Sequence, residues 1–289
     1  MQSVTFPKLP RELEREIFDV AAVFYPDIIP TLLRVAKRVR EWTEPFLYNV
    51  VSLTRYAGRK PTHTYLESKG QLFLRNAVRH LCLELVDYPT ILSTCSKTID
   101  LSWRSCKYSP KVLPIISLMP LTRFHVDVHN LFADVPSIDI AQSPFLSVTH
   151  LTLFDDFTEV WTPVTWDPCD ALAYLPALTH LCMWDSISSP VVHGVLKRCL
   201  NLRMLLNAWE DFEAFRPQEV CASLSVNDPR FVMIIVEDWV YEWELAAGTG
   251  RDIWTRGLDF IASKANGEIP ASRFWVDDPH DPISGESDS

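Results

Sequence analysis

The chain has 289 residues, of which 47% are hydrophobic and 22% are charged, and these values exclude global disorder. With only 8 glycines but 21 prolines, the composition disfavours a glycine-rich nucleotide fold and suits many short elements separated by proline turns. The net charge of −10 disfavours nucleic acid as a partner, since phosphate binding needs a basic face.

The cysteines and the apolar segments indicate the cellular compartment of the protein. The seven cysteines are an odd number and form no CxxC pair, and residues 1–8 lack the apolar run of a signal peptide. No window reaches the roughly 18 uninterrupted apolar residues of a membrane span. We therefore expect an intracellular protein, cytoplasmic or nuclear, with free thiols and no membrane partner.

Charge is distributed unevenly along the chain. Residues 1–60 have a net charge of +3 and residues 61–209 of −2, whereas residues 210–289 hold seventeen acids against six bases. Residues 277–289 contain one large apolar residue, and we expect them to form a disordered acidic tail. The simplest role for such a tail is to keep the chain soluble.

The first fifty residues predict two amphipathic helices. Apolar residues recur at helical spacing from Leu13 to Phe24, and Pro26 ends that run. A second helix is expected from Thr31 to Trp42, followed by an extended segment over residues 46–53. The second helix would turn inward Leu32, Val35, Ala36, Val39 and Trp42. Two helices this short cannot bury their apolar faces alone, so they must pack on a third element or a partner.

From residue 78 the chain repeats a short LxxLxL pattern. The clear copies are residues 78–83, 121–126, 148–153 and 178–183, and weaker copies are 96–101, 202–207 and 231–236. The central residues predicted to face a shared core are Leu81, Ile99, Phe124, Leu151, Leu181, Leu205 and Ile234. Their spacings of 18 to 30 residues bracket the range of leucine-rich repeats. The pattern predicts an α/β fold in which an irregular leucine-rich-repeat solenoid forms a curved parallel sheet.

An array of repeats needs a cap at each end, because no single repeat closes a core. We expect the N-terminal helices to cover one end and a helix over residues 251–264 to cover the other. The chain is therefore divided into a helical module (1–52), repeats (53–245), a capping segment (246–276) and the tail (277–289). A WD-repeat propeller is disfavoured because the Trp-Asp pairs at 166–167 and 184–185 are too close for four-stranded blades.

The N-terminal segment resembles an F-box. Residues 6–18, Phe-Pro-Lys-Leu-Pro-Arg-Glu-Leu-Glu-Arg-Glu-Ile-Phe, are similar to its opening pattern LPxEL…IF, and residues 45–48, Pro-Phe-Leu-Tyr, to its PxLY exit. Residues 32–42 are similar to the family's intervening helix, although Ala36 and Val39 stand where Cys and Trp are common. The resemblance covers about residues 6–52. With the repeats behind it, the order is that of an F-box/leucine-rich-repeat protein, similar to fungal F-box-like domain proteins.

This resemblance implies a non-catalytic interaction protein. Such a protein is the substrate-recognition subunit of a cullin–RING (SCF-type) ubiquitin ligase, which docks on a Skp-type adaptor and presents an unknown substrate protein. By position, the resemblance implies adaptor contacts from Leu9, Pro10, Leu13, Ile17, Phe18, Leu33 and Val35. Two alternatives stay open: these residues only cap the repeats, or the protein is a leucine-rich-repeat scaffold that binds a partner without any ligase role.

Residues that alternate with the inward positions predict a partner-binding surface along the strands. Neighbouring strands lie about 4.8 Å apart, so His150 and His180 should sit side by side. The predicted surface comprises Arg123, His150, Phe154, His180, Trp184, Asp155 and Asp185. Acids that follow the strands predict a negative rim that favours a basic partner: Asp155, Asp156, Asp185, Glu210, Asp211, Glu237 and Asp238. The alternative is that Leu-Thr-His-Leu is a packing motif of the repeat.

Catalytic and metal-binding motifs find little support. The sequence contains no GxSxG, HExxH, GxxxxGK[ST] or GxGxxG motif, so we expect no enzyme activity and no cofactor. His125 and His129 have a metal-like i,i+4 spacing, but the segment is strand-like and offers no third ligand. We expect no metal site there.

Overall fold

The architecture is that of an α/β protein, as the sequence predicts. A computed structural model of the chain describes residues 9–54, 66, 68–84, 89–104, 110–132, 138–155, 157, 168–210 and 216–276. The predicted tail (277–289) lies outside these residues, as do Asp156, Asp211 and the Trp-Asp pair at 166–167. No helix within the described ranges combines the length and apolar character needed to cross a bilayer.

Short helices form the N-terminal module. Helix α1 spans Arg11–Phe24, α2 spans Ile29–Leu32 and α3 spans Lys37–Thr43, and 3-10 helices lie at Pro26–Ile28 and Glu44–Tyr48. The prediction of one helix from Thr31 to Trp42 is wrong: a turn separates α2 from α3, and Ala36 is extended with φ −161° and ψ 158°. Val35 in that turn is exposed rather than inward. The module's core comprises Ala22, Ile29, Leu32, Val39 and Trp42.

Within the described residues, eight strands form one parallel sheet whose order follows the chain. They are β1 (Val50–Leu53), β2 (His80–Glu84), β3 (Asp100–Arg104), β4 (Arg123–Val126), β5 (His150–Leu153), β6 (His180–Trp184), β7 (Met204–Trp209) and β8 (Phe231–Ile235). The expected extended segment (46–53) is correct only from Val50 onward, and there it supplies the first strand of the sheet, next to β2.

The register of the sheet confirms most of the predicted inward row. Neighbouring strands align one row of central residues: Leu81, Leu101, Phe124, Leu151, Leu181, Leu205 and Phe231. Two predicted centres are wrong, because Leu101 replaces Ile99 and Phe231 replaces Ile234. The shift of two residues in β3 leaves the same side chains facing the core. The shift of three in β8 turns Ile234 to the opposite face, since strand side chains alternate with a period of two.

The helices that connect the strands pack on one face of the sheet. They are α4 (Gln71–Ala77), α5 (Pro89–Thr94), α6 (Leu113–Ile116), α7 (Val128–Leu131), α8 (Pro168–Ala173), α9 (Ser189–Arg198) and α10 (Pro217–Leu224). Their apolar side chains join the inward strand residues in one buried core. We call this side of the sheet the outer face.

The other side of the sheet, the inner face, is covered by two C-terminal helices. Helix α11 spans Trp239–Thr249 and α12 spans Ile253–Ala265, and we call residues 239–265 the strap. Gly250 adopts a left-handed conformation (φ +73°) that reverses the chain between them. A Cβ built on Gly257 of α12 would come within 2.5 Å of Met204 Sδ, so glycine there permits close packing of helix on sheet.

The position of the strap differs from the predicted end cap. Helix α12 forms within the predicted segment 251–264, but it packs against β7 and β8 on the inner face, and α11 reaches across to β1. Helix α11 also crosses the predicted boundary at residue 245. The physical reason is that the inner face of β6–β8 is itself apolar, through Leu206, Ala208, Val232 and Ile234, and needs a cover.

Candidate protein-interaction surfaces

Helix α1 turns its most apolar face toward solvent. Leu13, Ile17, Val20 and Phe24 lie within about 60° of one another around the helix axis, and we call them the α1 stripe. Their exposed fractions run from 47% to 72%. The module's core contacts Ala22 on the opposite side of the same helix. A solvent-facing stripe of four large apolar residues is an unusual use of an amphipathic helix, and such patches mark interaction sites.

The seven residues that the F-box resemblance assigns to the adaptor contact divide into two sets. The exposed set comprises Leu9, Pro10, Leu13, Ile17 and Val35. Phe18 and Leu33 are half-buried and pack on the module's core, with the Phe18 ring 6.4 Å from that of Trp42. Val20 and Phe24 extend the exposed set, and their helical spacing with Leu13 and Ile17 is visible in the sequence.

On the inner face, the Leu-Thr-His-Leu motif has a specific packing role. The hydroxyl of Thr149 donates to the Thr122 carbonyl at 3.0 Å and lies 2.8 Å from His150 Nδ1. Thr179 repeats the arrangement with the Thr149 carbonyl at 3.2 Å and His180 Nδ1 at 2.8 Å. Because each hydroxyl proton is used on a carbonyl, each hydroxyl accepts from its imidazole, so Nδ1 carries the ring proton. The motif thus ties each strand to the one before it.

The two histidines stack as the register predicts. His150 pairs with His180, and their rings are parallel, with centroids 4.2 Å apart and an interplanar angle of 2°. Trp254 of α12 lies nearly perpendicular to both rings, at 5.3 and 5.9 Å. Burial lowers the pKa of His150 to about 3, helped by the neighbouring His180, and burial also lowers the pKa of His180. Both rings are therefore neutral near pH 7.

This pair predicts acid-sensitive folding. A histidine whose pKa is lower in the folded than in the unfolded chain binds more protons when unfolded, so its contribution to stability is lost as pH falls from about 6.5 toward the folded pKa. We expect the thermal midpoint to fall as pH decreases from 6.5 to 4, and to fall less steeply for His150→Phe, which keeps a ring against His180. Calorimetry across this range measures both slopes. Identical slopes for the two proteins would contradict the assignment.

A buried polar network lies beside the histidine pair. The Asp100 carboxylate accepts from Trp243 Nε1 at 3.0 Å, and His125 Nε2 and His80 Nδ1 lie 3.2 and 3.3 Å from its oxygens. Burial alone would raise the pKa of Asp100, but the hydrogen bonds from His125 and His80 outweigh it and hold that pKa well below its usual range. His125 is thus engaged on the inner face and does not join His129 in a metal site.

The strap closes this face with polar as well as apolar contacts. Trp239 Nε1 donates to the Ser102 hydroxyl at 3.0 Å, and the Trp239 ring packs against that of His125 at 4.9 Å. Arg123 forms an ion pair of 2.7 Å with Asp252, the residue that caps the N-terminus of α12. The inner face is therefore a second core that the strap covers, and among the described residues only some of its buried polar groups are paired: His180 Nε2 and Trp184 Nε1 have no hydrogen-bond partner there.

The predicted partner-binding surface is accordingly wrong in its exposure. His180, Trp184 and Asp155 are buried. Arg123, His150 and Phe154 are half-buried beneath the strap, which leaves Asp185 as the exposed member of the predicted set. The structure does bring the aromatic pair together, with the rings of Phe154 and Trp184 5.3 Å apart, but Trp239 packs on both of them.

Asp155 serves as a helix cap. Its carboxylate accepts from the backbone N–H groups of Val128 and His129, at 2.9 and 3.0 Å, and from the His129 ring. Asp127, His129 and Asp155 place candidate cation ligands within 4.8 Å of one another. Burial and the nearby Asp155 charge raise the pKa of Asp127 to about 6. Because Asp155 already accepts three hydrogen bonds, we assign the group to capping of α7.

Acidic residues do gather where the strands end. The exposed acids at the ends of β6, β7 and β8 are Asp185, Glu210, Glu237 and Asp238. Burial raises the pKa of Glu84 at the end of β2, and the charges of Asp238 and Glu210 add to this, against the opposing Arg104. Part of the predicted negative rim therefore exists, at the carboxyl edge of the sheet.

The described residues define an α/β protein with one parallel sheet, an inner face covered by the strap and an exposed apolar helix face. No family model matches the chain, and comparison with curated proteins and with solved structures finds no match either. Function is therefore inferred from the residues of this chain.

Proposed function

We propose that this protein is the substrate-recognition subunit of a cullin–RING (SCF-type) ubiquitin ligase, with an N-terminal F-box-like module that docks on a Skp-type adaptor. The α1 stripe is the observation that carries the proposal. A helix that exposes Leu13, Ile17, Val20 and Phe24 loses the free energy of burying them unless a partner covers them. Three of the residues matched to the F-box opening, Leu9, Leu13 and Ile17, lie on or beside that exposed surface.

The arrangement of the rest of the chain supports the same proposal. In the part of the chain that the structure describes, eight parallel strands follow chain order and the helices between them lie on the outer face, as stacked leucine-rich repeats require. In an F-box/leucine-rich-repeat protein this array would hold the substrate at a fixed place relative to the adaptor. The module is covalently continuous with the array, because β1 follows directly from its last 3-10 helix.

Adaptor binding is tested by co-purification. We expect the full-length chain to retain a recombinant Skp-type adaptor, and Ile17→Asp to reduce the amount retained by at least about tenfold, since a carboxylate would be buried at the contact. Leu72→Asp is the matched control, because Leu72 is also a large exposed apolar residue but lies on α4, outside the module. Equal retention by wild type and Ile17→Asp would refute the proposal.

A second candidate function is a repeat scaffold without any ligase role. It would leave the adaptor pull-down empty while the repeats still bind a protein.

Under the capping alternative, the stripe would be covered within the chain itself. Ile17→Asp would then lower the thermal midpoint, whereas the docking proposal leaves the midpoint of the isolated protein unchanged because Ile17 is exposed.

A further inference from the structure

Four consecutive strands are preceded by loops that expose one large apolar side chain each. These residues are Leu118 before β4, Leu146 before β5, Tyr174 before β6 and Leu200 before β7, and we call them the edge row. Their exposed fractions run from 42% to 84%. Single exposed apolar residues are ordinary, but three leucines and a tyrosine at the same edge, one before each of four successive strands, form a recurring feature.

Hydrogen bonds show that the loops carrying the edge row are adjacent in space. The loops before β4 and β5 exchange two bonds, from Ser117 Oγ to the Ser143 carbonyl at 2.8 Å and from Ser143 Oγ to the Ser117 carbonyl at 2.7 Å. The backbone N–H of Thr179 donates to the Thr149 carbonyl and joins the loops before β5 and β6. Arg203 N–H donates to the Thr179 carbonyl in the same way and joins the next pair.

The spacing of the edge row fits one turn of an α-helix. Neighbouring strands lie about 4.8 Å apart, and an α-helix advances about 5.4 Å per turn. A helix that lies across the strands along this edge therefore presents one side chain to each repeat when its apolar residues recur every three or four positions. An extended segment would match the same spacing less well, because side chains on one of its faces lie about 6.6–6.8 Å apart.

Most of the exposed charges in the segments that carry the edge row are basic, with Asp139 before β5 as an exposed acid. Lys97 is exposed in the loop before β3, the strand that pairs with β4, and Lys197 and Arg203 are exposed within three residues of Leu200 in the chain. The exposed acid Asp170 is paired with Arg198 at 2.7 Å. A helix with acidic flanks complements this edge. The net charge of −10 for the whole chain opposes the other apolar-binding possibility, an anionic membrane.

We propose that the edge row binds an amphipathic helix of a partner protein, with its apolar side chains on Leu118, Leu146, Tyr174 and Leu200 and its acidic flanks beside Lys97 and Arg203. This places partner recognition at the amino edge of the sheet, where the loops are open, instead of on the inner face, which the strap closes. This inference rests on the proposed function in one respect, that the bound helix belongs to a ligase substrate. The peptide-binding test needs no adaptor, so helix binding and adaptor docking can each fail separately.

The probe is a synthetic helical peptide with leucines at i, i+4, i+7 and i+11 and glutamates on both flanks. We expect it to bind the full-length chain, as measured by fluorescence anisotropy, at least about tenfold more tightly than the same peptide with lysine flanks. Leu118→Glu combined with Leu200→Glu should weaken binding of the acidic peptide by at least about tenfold. Both leucines are exposed, so the double variant should keep the wild-type thermal midpoint.

Ile17→Asp is the matched control, because it changes the α1 stripe and leaves the edge row intact. Wild-type affinity for the acidic peptide in this variant supports the proposal. Equal affinity for both peptides, or unchanged binding by the Leu118→Glu/Leu200→Glu variant, would overturn it. Two further outcomes would overturn the proposal. Sedimentation with phosphatidylserine vesicles that is lost in the Leu118→Glu/Leu200→Glu variant would identify a membrane as the ligand. Self-association that is lost in the same variant would identify a second copy of this chain.

Discussion

Replacing Asp100 with alanine is expected to lower the free energy of unfolding by about 3–5 kcal/mol. The carboxylate is buried and accepts from Trp243 of the strap while contacting His80 and His125 of the sheet. Its removal leaves these three groups without their shared acceptor in a site closed to water, and each buried unsatisfied polar group costs about 1–3 kcal/mol. Urea denaturation followed by tryptophan fluorescence measures the loss.

Asp100→Asn is the graded control for this prediction. The amide oxygen still accepts from Trp243 and the shape of the side chain is kept, so we expect a smaller loss than for alanine. Because the pKa of Asp100 is held below its usual range, its charge stabilises the fold above about pH 4, and this contribution is lost as pH falls further. The stability of Asp100→Asn should therefore not show the part of the pH dependence that comes from protonation of Asp100. Stabilities equal to wild type for both variants would contradict a structural role for the network.

The sheet could be predicted from the sequence because its signal is local. A copy such as Val148-Thr-His-Leu-Thr-Leu places Leu151 and Leu153 on one face by simple alternation, and both are buried in the outer-face core. The spacing of the copies also predicts His150 beside His180, and the strand register confirms it. For the weak copies of the repeat, the predicted strand register is wrong where several registers bury similar side chains. In β8 every residue from Phe231 to Ile235 is buried, so the pattern contains no polar position to fix the register.

The strap could not be predicted from the repeat pattern, because its position depends on contacts distant in sequence. Trp243 meets Asp100 across 143 residues, and Arg123 meets Asp252 across 129. The sequence does contain one indication that α11 is buried: Trp239 and Trp243 lie one helical turn apart, and both are large aromatic side chains that need burial. The inner face carries both apolar residues, such as Leu206 and Val232, and polar ones, such as Asp100 and the histidines. From the sequence alone, this mixture does not tell an open binding groove from a covered core.

The candidate adaptor surface was predicted in part, for a similar reason. Helical periodicity identified Leu13, Ile17 and Phe24 as one face, and α1 forms as expected. Periodicity cannot say whether that face points to the module's core or to solvent. In the structure the core of the module packs on the Ala22 side of α1, and the Glu14–Arg38 ion pair of 2.6 Å joins α1 to α3. The stripe is then left on the far side of α1.

Trp239→Ala is expected to destabilise the whole protein by about 3–5 kcal/mol and to leave it with a single unfolding transition. Trp239 is buried among Phe154, Trp184 and His125, so its loss leaves a cavity in the inner-face core and removes the bond to Ser102. Tyr241→Ala, two residues along the same helix, is the matched control. Tyr241 is exposed, and its truncation should cost no more than about 0.5 kcal/mol.

This comparison decides whether the strap is part of the core or a movable lid over a binding groove. A core predicts that urea denaturation of Trp239→Ala moves to a lower midpoint and that hydrogen exchange of the strap amides and of β4–β7 accelerates together, since both belong to one cooperative unit. A lid predicts that exchange accelerates in the strap alone while the sheet keeps its wild-type protection. Because the inner face holds Met204, Leu206, Val232 and Ile234 directly against the strap, we expect the first result. The edge row and the α1 stripe, which the strap does not cover, would then remain the proposed binding surfaces.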